Sequence, residues 1–497
     1  MLERFSRTAL AVIGNAATAV AATSAAAAAT PAIPGPEVQP YVSVSAPVVA
    51  LRHVNVIDGT GVAPRPDQTL VFERGHISAI GPAASTAVPA GAELHDYPGY
   101  TVLPGLVGMH DHFYYSASNA LQRGDGKSSE PGFQVNEIAF TAPRLYLAGG
   151  VTTLRTTGSI EPYTDIKVHD RIEAGLMPGP DVDLTAPYME GGPTPFAQMR
   201  ELKGPEDARR FVDFWAESGM TSFKAYMNIT REELAAAATA AHQRGLKITG
   251  HLCSVTWPEA VAAGIDDFEH GPVYTDSEFV AGKKADVCPR GRDLDASWQA
   301  QSIEGAGVSA LIHLLVSHHV AVTSTLPVFE LYVPGRPPPQ RRALDAMSAG
   351  ARESYLTERA SLNPADAASV ALFRKEMDFE HAFAAAGGLL LAGPDPTGNG
   401  GVLPGFGNQR EIELLVEAGF TPVAAIQIAT QNGARFLGRE ADIGTIETGK
   451  RANLVLIKGD PAKQIADIEK VELVFKDGIG YDSARLIEAV RGQVGVR

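Results

Sequence analysis

Residues 106–115 read LVGMHDHFYY, an apolar run that ends in two histidines one residue apart. The run reads as a buried strand. Successive strand side chains point to opposite faces, so His110 and His112 project the same way and Asp111 the other. Two imidazoles fixed side by side suit chelation of one metal ion, whereas two charged imidazoliums there would repel each other. Surface or packing histidines give the same local pattern, so the reading turns on whether the chain supplies further ligands.

Working outward, seven more strand-like segments follow: 151–155, 182–187, 221–226, 246–251, 266–270, 320–325 and 389–393. Helical sequence separates several of them. TREELAAAATAAHQRG opens on Thr230 with Glu233 three residues on, the two halves of a capping box, and Gly245 closes it. Thr256, Pro258 and Glu259 repeat that signal, and Thr421 and Pro422 begin a third helix. No Gly-rich phosphate loop follows the first strand. Eight strands alternating with helices therefore predict an α/β fold, a (β/α)8 TIM barrel, over a doubly wound sheet.

Both chain ends read as β. VVALRHVNVIDGTG and TLVFERGHISAIG lie before the first histidine pair, and GTIETGKRANLVLIKGD and VELVFKDG lie near the C-terminus. A small β-sandwich built from both ends, 47–104 with 438–497, is expected to flank a barrel over 105–437. Residues 31–46 read as a Pro-rich linker. Residues 1–30 order a charged start, an Ala-rich apolar stretch and small residues, the layout of a cleavable secretory signal. A transmembrane anchor is the other reading, but Asn15, Thr18, Thr23 and Ser24 interrupt the stretch. The expected location is the periplasm or the exterior, with no membrane association after cleavage. A formal net charge of −15 argues against a nucleic-acid partner. Cys253 and Cys288 are the two cysteines; sequence leaves their pairing open. Two stretches, 275–305 and 328–380, exceed ordinary barrel loops and suit a substrate cover or an interface.

Reactive groups of such a barrel sit at the carboxyl ends of its strands. Those ends carry His110 and His112, Lys224, His251, His270 and, just past the last strand, Asp395. Each has a bland reading: a snorkelling lysine, a strand-capping histidine, His270 held by Glu269 or Asp267, an aspartate in a Pro/Gly turn. Metal-compatible side chains at successive strand ends are harder to obtain by accident.

On these residues the chain resembles the metal-dependent amidohydrolase superfamily. That family's pattern is His-x-His on the first strand, Lys on the fourth, His on the fifth and sixth, and Asp on the eighth. GMHDH, FKAY, GHLC, EHG and GPDP fill those slots, and the resemblance covers about 47–497. It is most similar to the imidazolonepropionase-like branch that includes Xaa-Pro and Xaa-Arg dipeptidases and ochratoxin-hydrolysing amidases. One departure stands out: that branch commonly carries an acidic residue after the arginine of TTxRD, where this chain reads TTLRTTGS.

The resemblance implies two divalent metal ions, zinc by preference, since nitrogen and oxygen donors suit it; manganese, cobalt or iron would also fit. It assigns His110, His112 and Asp395 to one ion, His251 and His270 to the other, and a carboxylated Lys224 (N6-carboxylysine) to both. A water held between two cations has a lowered pKa, giving a bridging hydroxide, and Asp395 would be the catalytic proton shuttle. Arg155 could bind a substrate carboxylate or form a structural salt bridge. Tyr226, on the lysine's face, could donate to an oxyanion or pack in the core. The function read from all this is hydrolysis of an amide in a dipeptide or N-acyl amino acid, a small-molecule substrate. The alternatives are a cyclic amide, lactone or carbamate on the same site, or a non-catalytic binding protein. Homo-oligomerisation is left open. A glycoside hydrolase would want paired carboxylates at the strand ends.

Overall fold

The computed structural model describes residues 33–116, 135–194, 196 and 198–495. The signal segment 1–30 lies outside the described residues. In chain order the strands are β1 (Val42–Val44), β2 (Val48–Val56), β3 (Arg65–Glu73), β4 (His76–Pro82), β5 (Glu93–Asp96), β6 (Tyr100–Pro104), β7 (Leu106–Asp111), β8 (Tyr114–Tyr115), β9 (Asn136–Glu137) and β10 (Val151–Thr156). They continue as β11 (Asp181–Asp183), β12 (Ser222–Ala225), β13 (Lys247–Gly250), β14 (Asp267–Glu269), β15 (Ala321–Ser324), β16 (Leu390–Ala392), β17 (Leu454–Lys458), β18 (Val471–Lys476) and β19 (Ile479–Asp482).

The fold is mixed α/β. Eight of these strands, β7 and β10 to β16, overlap the eight segments expected from sequence and run parallel in sequential order. Ladders join β7, β10 and β11, and a second set joins β12 to β16. Parallel bridges Thr185↔Ser222 and Met189↔Ala225 connect the two sets. Between β16 and β7 there is no ladder. The Asp395 amide donates to the His110 carbonyl at 3.1 Å instead. The two chains approach closely there, since a Cβ on Gly393 would lie 2.2 Å from the His110 nitrogen. A side chain at 393 would push the first and eighth strands apart.

The caps read from sequence form. Thr230 with Glu233 and Thr256 with Glu259 make reciprocal capping boxes on the helices Arg231–Gln243 and Trp257–Ala263. Thr421 accepts from the Ala424 amide at the head of Pro422–Gln427. Beneath the helices the Trp257 indole stacks on Phe268 at 4.0 Å between ring centroids.

Strands from both chain ends share one nine-stranded sheet, in the order β1-β19-β18-β17-β6-β2-β3-β4 with β5 on β2. Phe72 on β3 and Phe475 on β18 are far apart in that order, yet their rings meet at 5.1 Å, so the sheet curls on its own apolar core. Part of the stretch expected as a linker belongs to this sheet. Val42–Val44 pairs with β19, and Val38 and Val44 are buried. Pro-rich composition marked 31–46 as a spacer, but its valines supply buried apolar area, Val44 in the core of the curled sheet and Val38 in the main core.

The two long insertions differ in role. Cys253 and Cys288 are disulfide-bonded, which ties the 275–305 segment to the residue two positions after His251. Trp298 of that segment is buried, its Nε1 donating to the Asp276 carbonyl. Residues 328–380 carry helices Arg341–Ala346, Ala349–Ala360 and Ala367–Ala385. The disulfide closes a loop of 35 residues. Chain entropy assigns such a closure about 3–4 kcal/mol. Reduction is expected to lower the urea midpoint accordingly, and an unchanged midpoint would show that the denatured ensemble does not feel the link. No helix among the described residues is long and apolar enough to cross a membrane.

Candidate active site

His110 and His112 leave the end of β7 toward the mouth, as the strand period requires. Asp111 points the other way. Its carboxylate meets Asn408 Nδ2 at 3.3 Å and is raised to about 7 by burial. Tyr146 pins the turn: its hydroxyl accepts from the His112 amide at 3.0 Å and donates to the His112 carbonyl at 2.8 Å. His270 and Asp395 both adopt left-handed backbone, at φ 67° and 47°. That conformation costs non-glycine residues energy and clusters at functional sites.

The structure brings the six expected ligands to one cavity. His112 Nε2 stands 3.4 Å and His110 Nε2 3.7 Å from Asp395 Oδ1, and His270 Nε2 is 3.9 Å from Oδ2. His251 Nδ1 faces His270 Nε2 at 2.9 Å. Three of the rings are anchored by their other nitrogen. His112 Nδ1 meets the Gly158 carbonyl at 3.2 Å, and His270 Nδ1 meets Thr325 Oγ1 at 2.7 Å. His110 Nδ1 lies 2.7 Å from Glu269 Oε2, an ion-pair contact not aligned as a hydrogen bond; neither atom has another hydrogen-bond partner. These outer contacts fix which nitrogen faces the cavity.

The donor chemistry fits cations. Two donors on one tetrahedral zinc stand roughly 3.3 Å apart, close to the His112–Asp395 and His110–Asp395 separations. Burial, with Lys224 adding to it, pushes His110 well below the ordinary histidine range and His251 down to about 3. Burial and the neighbouring His251 do the same to His270, and burial lowers His112. All four rings are therefore neutral near pH 7, with lone pairs available. Burial also lowers the Lys224 ammonium, to about 8.

These side chains floor a cavity of about 360 Å³. Tyr226 lines it, its ring 5.2 Å from that of His251, and it also packs on Tyr188 with centroids 4.9 Å apart. Arg155 requires a correction. Its side chain is buried beneath the floor, where it donates to the Met109 carbonyl, to Asp267 Oδ2 at 2.8 Å and to Glu269 Oε1 at 2.8 Å. It does not line the cavity. Two buried carboxylates on β14 hold it there. The bland reading of His270, held by Glu269 or Asp267, is not what the structure shows: Thr325 meets its Nδ1, and Glu269 contacts His110.

Sequence reasoning missed Tyr114, which stacks on His112 with centroids 4.5 Å apart, and Tyr188, whose hydroxyl meets that of Tyr114 at 2.5 Å. The signal for Tyr114 was available: it continues the two-residue period of His110 and His112. Tyr188 and Thr325 carried none. Removing the Thr325 hydroxyl (Thr325→Val) frees His270 Nδ1 and is expected to weaken metal binding about 10–100-fold. Competition against a chelator measures this, and unchanged affinity would show that another contact orients the ring.

With this geometry in place, the amidohydrolase family model matches residues 101–479, most of the chain. The chain belongs to the amidohydrolase family. It is accordingly a metal-dependent amidohydrolase. No curated protein matches it by sequence. Several solved amidohydrolase structures share its fold. A Xaa-Pro dipeptidase with methionine bound in its active site is 21% identical, with TM-score 0.63 over 88% of this chain and 100% of that one. The A. niger ochratoxinase is 18% identical, with TM-score 0.60 over 88% and 96%. The bottromycin amidohydrolase is 20% identical, with TM-score 0.65 over 90% and 91%.

Proposed function

We propose that this amidohydrolase is a binuclear enzyme that cleaves an amide bond in a dipeptide or N-acyl amino acid. The observation that carries the proposal is the convergence of four imidazoles, a buried lysine and Asp395 on the floor of one cavity. Its structural relatives, a Xaa-Pro dipeptidase, an ochratoxinase and a bottromycin amidohydrolase, favour an amide substrate. His110, His112 and Asp395 would hold one ion and His251 with His270 the other, with Lys224 shared as its carbamate. When bound, divalent ions, zinc by preference, supply Lewis acidity to a carbonyl and to water.

The chain's own groups do the rest. Asp395, held by a hydrogen bond from Thr397 Oγ1 at 2.8 Å, accepts the proton of the attacking water and returns it to the departing nitrogen. Amide cleavage needs that return, because an unprotonated amide nitrogen is a poor leaving group. Tyr226, which lines the cavity, would donate its hydroxyl to the oxygen that gains charge. Val135, Ile160 and Met199 line the walls and limit water.

The wider reading has the eight parallel strands as a closed (β/α)8 barrel with the curled sheet as a β-sandwich beside it. Export to the periplasm or exterior is proposed with it. The disulfide supports export, since such links persist in oxidising compartments.

The test is a metal-loaded preparation offered a dipeptide and N-acyl amino acid library beside lactone and carbamate panels. Release of free amino acid is expected, with two ions per chain by elemental analysis. Exhaustive chelation should abolish turnover by at least about 100-fold, restored by zinc. Turnover confined to lactones or carbamates would move the substrate class. Absence of a bound transition metal would instead favour a binding protein.

A further inference from the structure

Three of the four imidazoles have an outer contact, with Glu269, the Gly158 carbonyl and Thr325. His251 is the exception. Its Nδ1 faces His270, and among the described residues no hydrogen bond holds its Nε2. The ring packs edge-on against His270 and Tyr226, with centroids 4.4 Å and 5.2 Å apart. A ring without an outer hydrogen bond takes its place from the backbone beneath it.

That backbone leaves the sheet at once. β13 ends at Gly250, and the His251 amide makes one last bond to the Ala225 carbonyl at 3.1 Å. The loop after β12 then holds the chain from one side. The Ser254 amide donates to the Met227 carbonyl at 2.9 Å, and Ser254 Oγ donates to the Ile229 carbonyl at 2.6 Å. A strap, residues 276–288, holds it from the other side. Ser277 Oγ donates to the Cys253 carbonyl at 2.7 Å, Lys283 Nζ donates to the Ser254 carbonyl at 2.6 Å, and Cys288 is bonded to Cys253. The strap carries neither helix nor strand. Near its far end Asp286 pairs with Arg231 at 3.0 Å, but both side chains are partly exposed, and water competes for such a pair. The disulfide is the contact that water cannot replace.

We propose that Cys253 and Cys288 are positioning residues for His251: their link holds the strap, and through it the backbone of 251–254, where the unanchored ring meets the second ion. The proposal rests on the binuclear reading and adds a redox dependence to it. Opening the link releases one ring and leaves the group His110, His112 and Asp395 in place.

The experiment titrates the full chain with cobalt(II), whose visible absorption reports each ion as it binds, beside chelator competition with zinc. Disulfide-bonded protein is compared with protein reduced by a phosphine and desalted, and with Cys253→Ser/Cys288→Ser. The second ion is expected to bind about 10–100-fold more weakly once the link is open, and the first to bind as before. Oxidised glutathione, itself reduced to two thiols as the protein bond re-forms, should restore the reduced protein but not the serine variant. In folded protein, an unchanged second affinity or an equal weakening of both overturns the assignment. Should circular dichroism show the link-free chain unfolded, Ser277→Ala, which keeps the disulfide, takes its place: a weaker second ion alone supports the strap, and any other pattern overturns it. If the disulfide-bonded protein takes up one ion only, the binuclear reading fails by itself. Carbethoxylation of each histidine, followed by peptide mass, then decides the positioning. Faster reaction of His251 alone on opening the link supports it, and any other pattern overturns it.

Discussion

Asp395→Asn enzyme is expected to keep its fold and bind metal, yet lose about 10²–10⁴-fold in kcat, the span attributed to positioned proton transfer. The asparagine carbonyl can still donate an oxygen, so the variant separates ligation from proton transfer. Asparagine cannot accept a proton at neutral pH. Thr397 Oγ1 would still meet the side chain, so the loop past β16 keeps its contact. Elemental analysis beside single-turnover kinetics makes the distinction. Wild-type turnover in the variant would remove Asp395 from the proton path, and loss of metal would make its main role ligation.

Replacing Arg155 by methionine is expected to destabilise the fold by about 3–5 kcal/mol, since breaking a buried pair from one side leaves uncompensated charge. Asp267 and Glu269 are both fully buried, and one guanidinium nitrogen reaches both. Thr249 and Thr323 complete the network by donating to the same carboxylates. Burial, reinforced by Glu269, raises Asp267 to about 7. For a carboxyl raised in the folded state, the fold binds the extra proton, so stability falls as pH rises from the unfolded value toward the folded one. Without the guanidinium, which lowers it, Asp267 rises further. The deficit of the variant should therefore be larger at pH 8 than at pH 5. Urea denaturation at the two pH values measures it, and a deficit below about 1 kcal/mol at pH 8 would show that Asp267 stays protonated in wild type. The same variant also disturbs Glu269, whose second oxygen lies against His110 Nδ1, so weaker metal binding should accompany it.

Much of this arrangement follows from the chain read alone. The strand period puts His110, His112 and Tyr114 on one face and Asp111 on the other. Alternating strands and capped helices place six ligands at strand ends, and Thr230–Glu233 and Thr256–Glu259 cap their helices through local contacts three residues apart. Each of these depends on neighbours within one turn or one strand, where backbone geometry dictates direction.

The tertiary structure decided everything that needed a partner from another strand. Period two says that Glu269 and His270 face opposite ways, but only the curvature of the parallel sheet brings Glu269 to His110 and Arg155, more than a hundred residues away in sequence. The same holds for the Cys253–Cys288 link and for Thr325 against His270. An arginine at a strand end reads from sequence as a ligand for substrate or as half of a salt bridge; which it becomes depends on the carboxylates that the other strands place opposite it. Local sequence sets the direction of a side chain, and strand register and sheet curvature choose what it meets.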